Sequence, residues 1–158
     1  MSRGDAILVR VHFNLQPQDG WPPVPDEALW AQAVGGGRYL IESPPWYVRG
    51  VAVDDEVSAR ADDDGRLWAD GEVAPGGRLT VRVLPLPEGP LGGDPAAVAE
   101  AFGPLGVRCG EPSRHGIVAL DIPGDGDLPV IKALLLDGES AGRWDFDEAR
   151  TSPEWQAL

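Results

Sequence analysis

Lysine, cysteine and methionine each occur once in this chain of 158 residues. A single cysteine, Cys109, excludes an internal disulfide and agrees with a reducing compartment. No apolar run approaches the roughly 18 residues that a membrane-crossing helix needs. The opening stretch MSRGDAILVRVHF alternates apolar and polar residues and lacks the apolar core of a signal peptide, so the cytoplasm is the expected location. Basic charge is scarce: 13 Lys and Arg stand against 26 Asp and Glu, for a net charge of −13. An acidic surface of that kind repels phosphate backbones, which argues against nucleic acid and favours a basic protein or peptide as partner.

Signatures of chemistry are missing as well. DDDG at 62–65 and GDGD at 124–127 lack the alternating oxygen ligands and closing glutamate of a calcium loop, and read as turns and helix caps. GGG at 35–37 and GPLGG at 89–93 lack the spacing of a dinucleotide loop. Cys109, His115 and Asp121 can be written as a nucleophile, a base and an orienting carboxylate. Nothing around Cys109 suggests the electropositive pocket that a thiolate requires, so a structural cysteine and a loop histidine are expected. No cofactor and no metal site is implied.

What the chain does contain is strand patterning, then helix patterning. In AILVRVHFN, residues 6–14, Ile7, Val9, Val11 and Phe13 share one face. The segment WPPVPDEALW, residues 21–30, follows; its three prolines exclude a helix or an inner strand. EALWAQAV and RYLIES flank GGG as a hairpin. WYVRGVAV at 46–53 reads as a further extended run, and DDDG and PGG punctuate the strands DEVSARA, RLWADGEVA and RLTVRVLPL. Residues 1–85 are therefore expected to be all-β, as a small barrel or curled antiparallel sheet.

LPEGPLGG at 86–93 is the expected linker. Asp94 and Pro95 then have the chemistry of an N-cap and first helical position, with Val98, Ala101, Phe102 and Leu105 at helical spacing. Asp127 caps a second helix whose buried stripe is Leu128, Ile131, Leu134 and Leu135. With VRCGE, HGIVALDIP and RWDFDEA as strands, and the strand at 79–84 counted first, the order is β-α-β-β-α-β. That is the ferredoxin-like split-βαβ pattern. The expected fold class is α+β: an all-β subdomain at 1–85, a ferredoxin-like subdomain at 94–150 sharing the strand at 79–84, and a tail at 151–158. Phe102, Leu105, Val118, Leu120, Ile131, Leu134 and Phe146 are its expected core.

Two long stretches carry a family resemblance. VHFNLQPQDGWPPVPDEALWAQAVGGGRYLIESPPWYVRGVAVDDEV, with the later DDDGRLW and LDIPGDGDLPVIKALLLDGESAGRWDFDEA, resembles the bacterial domain-of-unknown-function family 4265 over about residues 8–150. The shared features are the tryptophan- and proline-rich segment, the aromatic pair Trp46 and Tyr47 before a VRG step containing Arg49, and an acidic residue, Asp54 or Asp55, opening the next strand. The resemblance implies one two-part module and assigns no activity, cofactor or catalytic residue.

Six tryptophans are a high count for this length. Trp30 and Trp68 lie inside strand patterns and are expected in the core. Trp21 and Trp46, beside prolines, are the candidates for exposure and partner contact. Arg49 and the run Asp54, Asp55 and Glu56 complete the candidate surface; strand alternation would let Asp54 and Glu56 converge. The leading expectation is a non-catalytic, acidic protein-binding module, such as an immunity-type, antitoxin-type or accessory protein for a basic partner. The alternatives are an enzyme using a carboxylate such as Asp54 or Glu42, with His115, around a pocket between the halves, and a small-ligand sensor.

Overall fold

The computed structural model describes residues 7–158 and divides into two units, with the boundary between Gly76 and Gly77. In the first unit, β1 (Leu8–Asn14), β2 (Asp26–Gly35), β3 (Arg38–Ile41), β4 (Glu56–Ala61) and β5 (Leu67–Ala74) follow one another as antiparallel neighbours. The sheet curls until β5 meets β1 in parallel, through Val11 opposite Leu67 and His12 opposite Trp68, and so closes on itself. Period-two alternation explains the inward face. Val11 and Phe13 of β1, Leu29 and Ala31 of β2, Ile41 of β3 and Val57 of β4 form one buried cluster. The β2–β3 turn places Gly35, Gly36 and Gly37 at φ of 96°, 64° and 74°, a run of left-handed conformations that only glycine adopts without steric cost.

WYVRGVAV is not a strand. Residues 46–53 are an irregular connection from β3 to β4, although Val48, Val51, Ala52 and Val53 are buried. Gly50 at φ 79° and Asp54 at φ 73° turn the chain out of the extended conformation that a ladder requires. Apolar residues here fill the closed sheet from its end instead of pairing with a neighbour.

The second unit holds β6 (Leu79–Pro85), β7 (Arg108–Cys109), β8 (Val118–Ile122) and β9 (Trp144–Arg150) in one antiparallel sheet of order β7-β8-β6-β9. Two main helices accompany it, α1 (Pro95–Phe102) and α2 (Leu128–Ser140), with a short α3 (Pro153–Gln156). Both expected caps are in place: Asp94 accepts the Ala96 N–H at 3.0 Å, and Asp127 accepts the Val130 N–H at 3.4 Å. The expected core residues Phe102, Val118, Leu120 and Ile131 are buried together, with Leu105, Leu134 and Phe146 packed at the cluster's margin. Phe102 meets the buried Trp144 with ring centroids 5.5 Å apart.

The boundaries expected from the sequence need correction. The strand at 79–84, expected to be shared between the two subdomains, is β6, a central strand of the second sheet, and the first unit stops near Gly76. Residues 86–93 do not join two units. They form successive turns within the second, and the Leu86 N–H bonds the Arg143 carbonyl at 3.0 Å. Residues 151–158 are no loose tail either. Ser152 caps α3, Trp155 is fully buried with its indole N–H donated to Glu148, and Lys132 bonds the Trp155 carbonyl at 3.1 Å.

Candidate functional site

A buried carboxylate organises the connection that follows β3. Glu27 lies on the inward register of β2 with Leu29 and Ala31, which forces an acid into an apolar interior. Its Oε2 accepts the Trp46 N–H at 2.6 Å, and its Oε1 accepts the N–H groups of Tyr47 and Val48, each at 2.9 Å. Three successive N–H groups converging on an anion form a concave nest, which offsets the desolvation of the charge and fixes the loop. Asp55, fully buried, does the same further on: it accepts from Ala52 at 2.9 Å and from Gly76 at 2.8 Å.

This pinned loop contributes Tyr47 to an aromatic pair whose other ring, Trp21, comes from the β1–β2 connection. Trp21 is 55% exposed and meets Tyr47 edge-to-face, with centroids 5.7 Å apart at 77°. Arg49, two residues on, is exposed. The six candidate residues therefore divide. Trp21 and Arg49 face outward, and Trp46 is half-buried beside them. Asp54 lies ahead of β4 at positive φ, so strand alternation does not bring it together with Glu56. Asp55 is spent on internal backbone and has no surface to offer, and Glu56 pairs with Arg38 at 2.6 Å.

A cavity of about 310 Å³ opens near the same loop. Phe13, Val48, Val51, Val57 and Val73 give it an apolar lining, and Asn14, Arg49 and Asp70 contribute polar groups. A register irregularity in the β4–β5 ladder borders it: Val57 faces Val73 whereas Ala59 faces Ala69, leaving Asp70, Gly71 and Glu72 bulged from β5. Bulges of this kind re-aim side chains at sheet rims. A Cβ at Gly71 would meet the Ser58 hydroxyl, which would have to turn to another rotamer.

Trp30 and Trp68 are not core residues. Leu29 and Ala31 take the inward positions of β2, and Leu67 and Ala69 those of β5, so both indoles point outward. Trp30 is 44% exposed, with the Arg10 guanidinium 4.8 Å above its ring. Trp68 stands 5.1 Å from the His12 ring and donates its indole N–H to Asp62 at 2.9 Å. That bond, with the Asp64 and Arg66 N–H groups, holds the Asp62 carboxyl below the usual aspartate range.

The residues of the enzyme alternative have other settings. Glu42 and Asp54 belong to the first unit and His115 to the second, where it is exposed. Burial pushes the Cys109 thiol up to about 11, the opposite of an activated nucleophile. Asp121 is buried and accepts from Arg78 at 2.7 Å. Among the described residues, no three His, Cys, Asp or Glu side chains gather as a metal-ligand set.

These features define an α+β protein of two sheets and few helices, whose first unit carries a rigidly held aromatic loop beside a cavity. The chain belongs to the family described as a domain of unknown function, DUF4265, whose model matches residues 27–146. A solved structure described as a novel crystal structure of a hypothetical protein from Neisseria gonorrhoeae is similar, with a TM-score of 0.74 at 17% identity over 91% of this chain and 95% of that one. That likeness extends to the fold of both units. No curated protein matches the sequence.

Proposed function

We propose that this protein is a non-catalytic binding module that meets a basic protein or peptide through Trp21 and the loop carrying Tyr47 and Arg49. The observation that carries this reading is the trio of N–H groups held by Glu27, because it fixes the loop whose Tyr47 meets the exposed Trp21 indole before any partner arrives. Preorganisation lowers the entropic cost of association, and half-exposed tryptophans beside a second ring are the kind of anchor on which interfaces concentrate their energy. The net charge of −13 supplies long-range attraction to a basic surface. An immunity-type, antitoxin-type or accessory role in a bacterial cytoplasm fits that chemistry.

The same reading treats the closed sheet as a small barrel and the second unit as ferredoxin-like, a comparison supported by its β7-β8-β6-β9 order and its two main helices. The 310 Å³ cavity favours a second reading, a small-ligand sensor. The binding reading is tested by placing a photo-crosslinking amino acid at Trp21 and, as a control, at the exposed Leu136 of α2, in the living host. The expected result is an adduct with a basic protein from position 21 alone, diminished at high salt. Equal labelling from both positions, or an acidic partner, would overturn it.

A further inference from the structure

We propose that Trp21 and Tyr47 form a slot for one proline of an extended polyproline II segment in the basic partner, with Asp19 holding an arginine beside it. This rests on the protein-binding reading and names the chemistry of its partner. Trp21 is presented by a two-residue turn. The Gln18 N–H bonds the Trp21 carbonyl at 2.8 Å, the Trp21 N–H bonds the Gln18 carbonyl at 3.1 Å, and Asp19 and Gly20 stand between them at φ of 55° and 80°. Two successive positive φ angles are those of a tight primed hairpin turn, so the indole stands on a fixed backbone. Tyr47 rises from a backbone equally held, since its N–H bonds Glu27 at 2.9 Å. The two rings, inclined at 77°, leave a corner with one aromatic face as floor and the other ring as wall.

Unused hydrogen-bond donors border that corner. Trp68, Trp144 and Trp155 donate their indole N–H groups within the chain, to Asp62, the Leu135 carbonyl and Glu148. Trp21, 55% exposed, donates its indole N–H to no partner among the described residues, and the Tyr47 hydroxyl takes none there either. A polyproline II segment suits such a site. Its backbone is ordered before binding, its carbonyls make no internal hydrogen bonds, and a prolyl ring meets an indole face with no N–H to desolvate. Other modes of peptide recognition lack what they need here. Strand addition requires an open edge, but the first sheet closes on itself, and Pro22, Pro23 and Pro25 beside Trp21 carry no N–H to offer. An amphipathic helix requires a groove several turns long, not a corner between two rings. Charge sets the flanking residue. Asp19 is exposed, forms no ion pair among the described residues, and precedes the indole by two positions in a chain of net charge −13. A guanidinium next to the bound proline meets a carboxylate there.

The test is an NMR titration of the full chain with three synthetic peptides: a polyproline body ending in arginine, the same body ending in glutamine, and a glycine-serine body ending in arginine. The first is expected to give saturable shifts of the Trp21 indole N–H and the Tyr47 amide at about millimolar concentration or below. The glycine-serine peptide should bind about tenfold more weakly, because it brings no prolyl ring and must be ordered on binding. Trp21→Ala, at an exposed position, should weaken the first peptide about tenfold or more while leaving the thermal midpoint in place. Asp19→Asn keeps a side chain tolerant of positive φ; it should weaken the first peptide about threefold at low salt and leave the glutamine-ended one unchanged. Equal affinity for the polyproline and glycine-serine bodies, no saturable shift at Trp21, or variants that bind like the parent would overturn the proposal. The two readings also fail separately. A crosslink from position 21 that maps to a proline-free segment of a basic protein overturns the slot and leaves the binding module standing, whereas no adduct from position 21 removes the binding reading and the slot with it.

Discussion

Replacing Glu27 with glutamine changes one acceptor atom and removes one buried charge. The carboxamide oxygen can retain the bonds that Oε1 makes to Tyr47 and Val48, but an NH2 group then stands where Oε2 accepted the Trp46 N–H at 2.6 Å. One charge-assisted bond is lost and two donors face each other in a site only 7% exposed. A bond to an ionised acceptor contributes about 1.5–3 kcal/mol, and a buried donor without its acceptor costs about 1–3 kcal/mol. Partial access to water offsets some of this, so the expected loss is about 2–3 kcal/mol. Urea unfolding gives the global value, and amide exchange gives the local one. Exchange at Trp46 should quicken most, with Tyr47 and Val48 following as the loop loosens, while the β1–β2 ladder stays protected, because the damage is confined to the loop. A loss below about 1 kcal/mol with unchanged exchange at 46–48 would refute the claim that this carboxylate organises the loop.

Other perturbations probe the rest of the account. Leu135→Ala, at a fully buried position of α2, should cost about 2–5 kcal/mol in chemical unfolding, with a distinctly smaller loss for Leu134→Ala at the partly buried neighbouring position; equal losses would mean that the helix face is misassigned. Gly138→Ala should destabilise by about 1–2 kcal/mol despite the better helix propensity of alanine, because the new Cβ meets the Trp144 indole; a stabilised variant would contradict that packing. Cys109 should react with thiol reagents at pH 8 only slowly in the native state and fully in denaturant, since a thiol raised to about 11 by burial is thiolate in only about one molecule in a thousand. Rapid native labelling would show that the site is open.

Most strands and both main helices are legible in the sequence because their signals are local. Alternation through Val11 and Phe13 marks β1, three glycines mark the β2–β3 turn, and Asp94 and Asp127 mark the helix starts. The errors arise where an outcome depends on a distant partner. Residues 46–53 look like a strand because the run is mostly apolar, but positive φ at Gly50 within it and at Asp54 just after it turns the chain out of the extended conformation. β6 is legible as a strand and as the first of the β-α-β-β-α-β order, but the sequence leaves it shared between the two halves, because its pairing partners β8 and β9 lie about 40 and 65 residues downstream. Trp30 and Trp68 are expected in the core because they lie inside strand patterns, but the alternation of their own strands gives the inward positions to Leu29, Ala31, Leu67 and Ala69. The same alternation pointed Glu27 inward, but nothing local indicates that the N–H groups of 46–48 converge on it. The cavity is harder still to foresee, since β1, the loop and the bulge of β5 meet only in the closed sheet.

The most direct test of the binding account is the rate of association and of dissociation for the parent and Trp21→Ala with the partner captured at position 21, each at about 0.1 M and about 1 M salt, where the Debye length falls from about 10 Å to about 3 Å. The acidic surface predicts association that slows markedly at high salt for both proteins. The exposed indole predicts dissociation at least about thirtyfold faster for Trp21→Ala, the equivalent of a hot-spot loss of about 2 kcal/mol. Association indifferent to salt, with Trp21→Ala dissociating like the parent, would contradict the account.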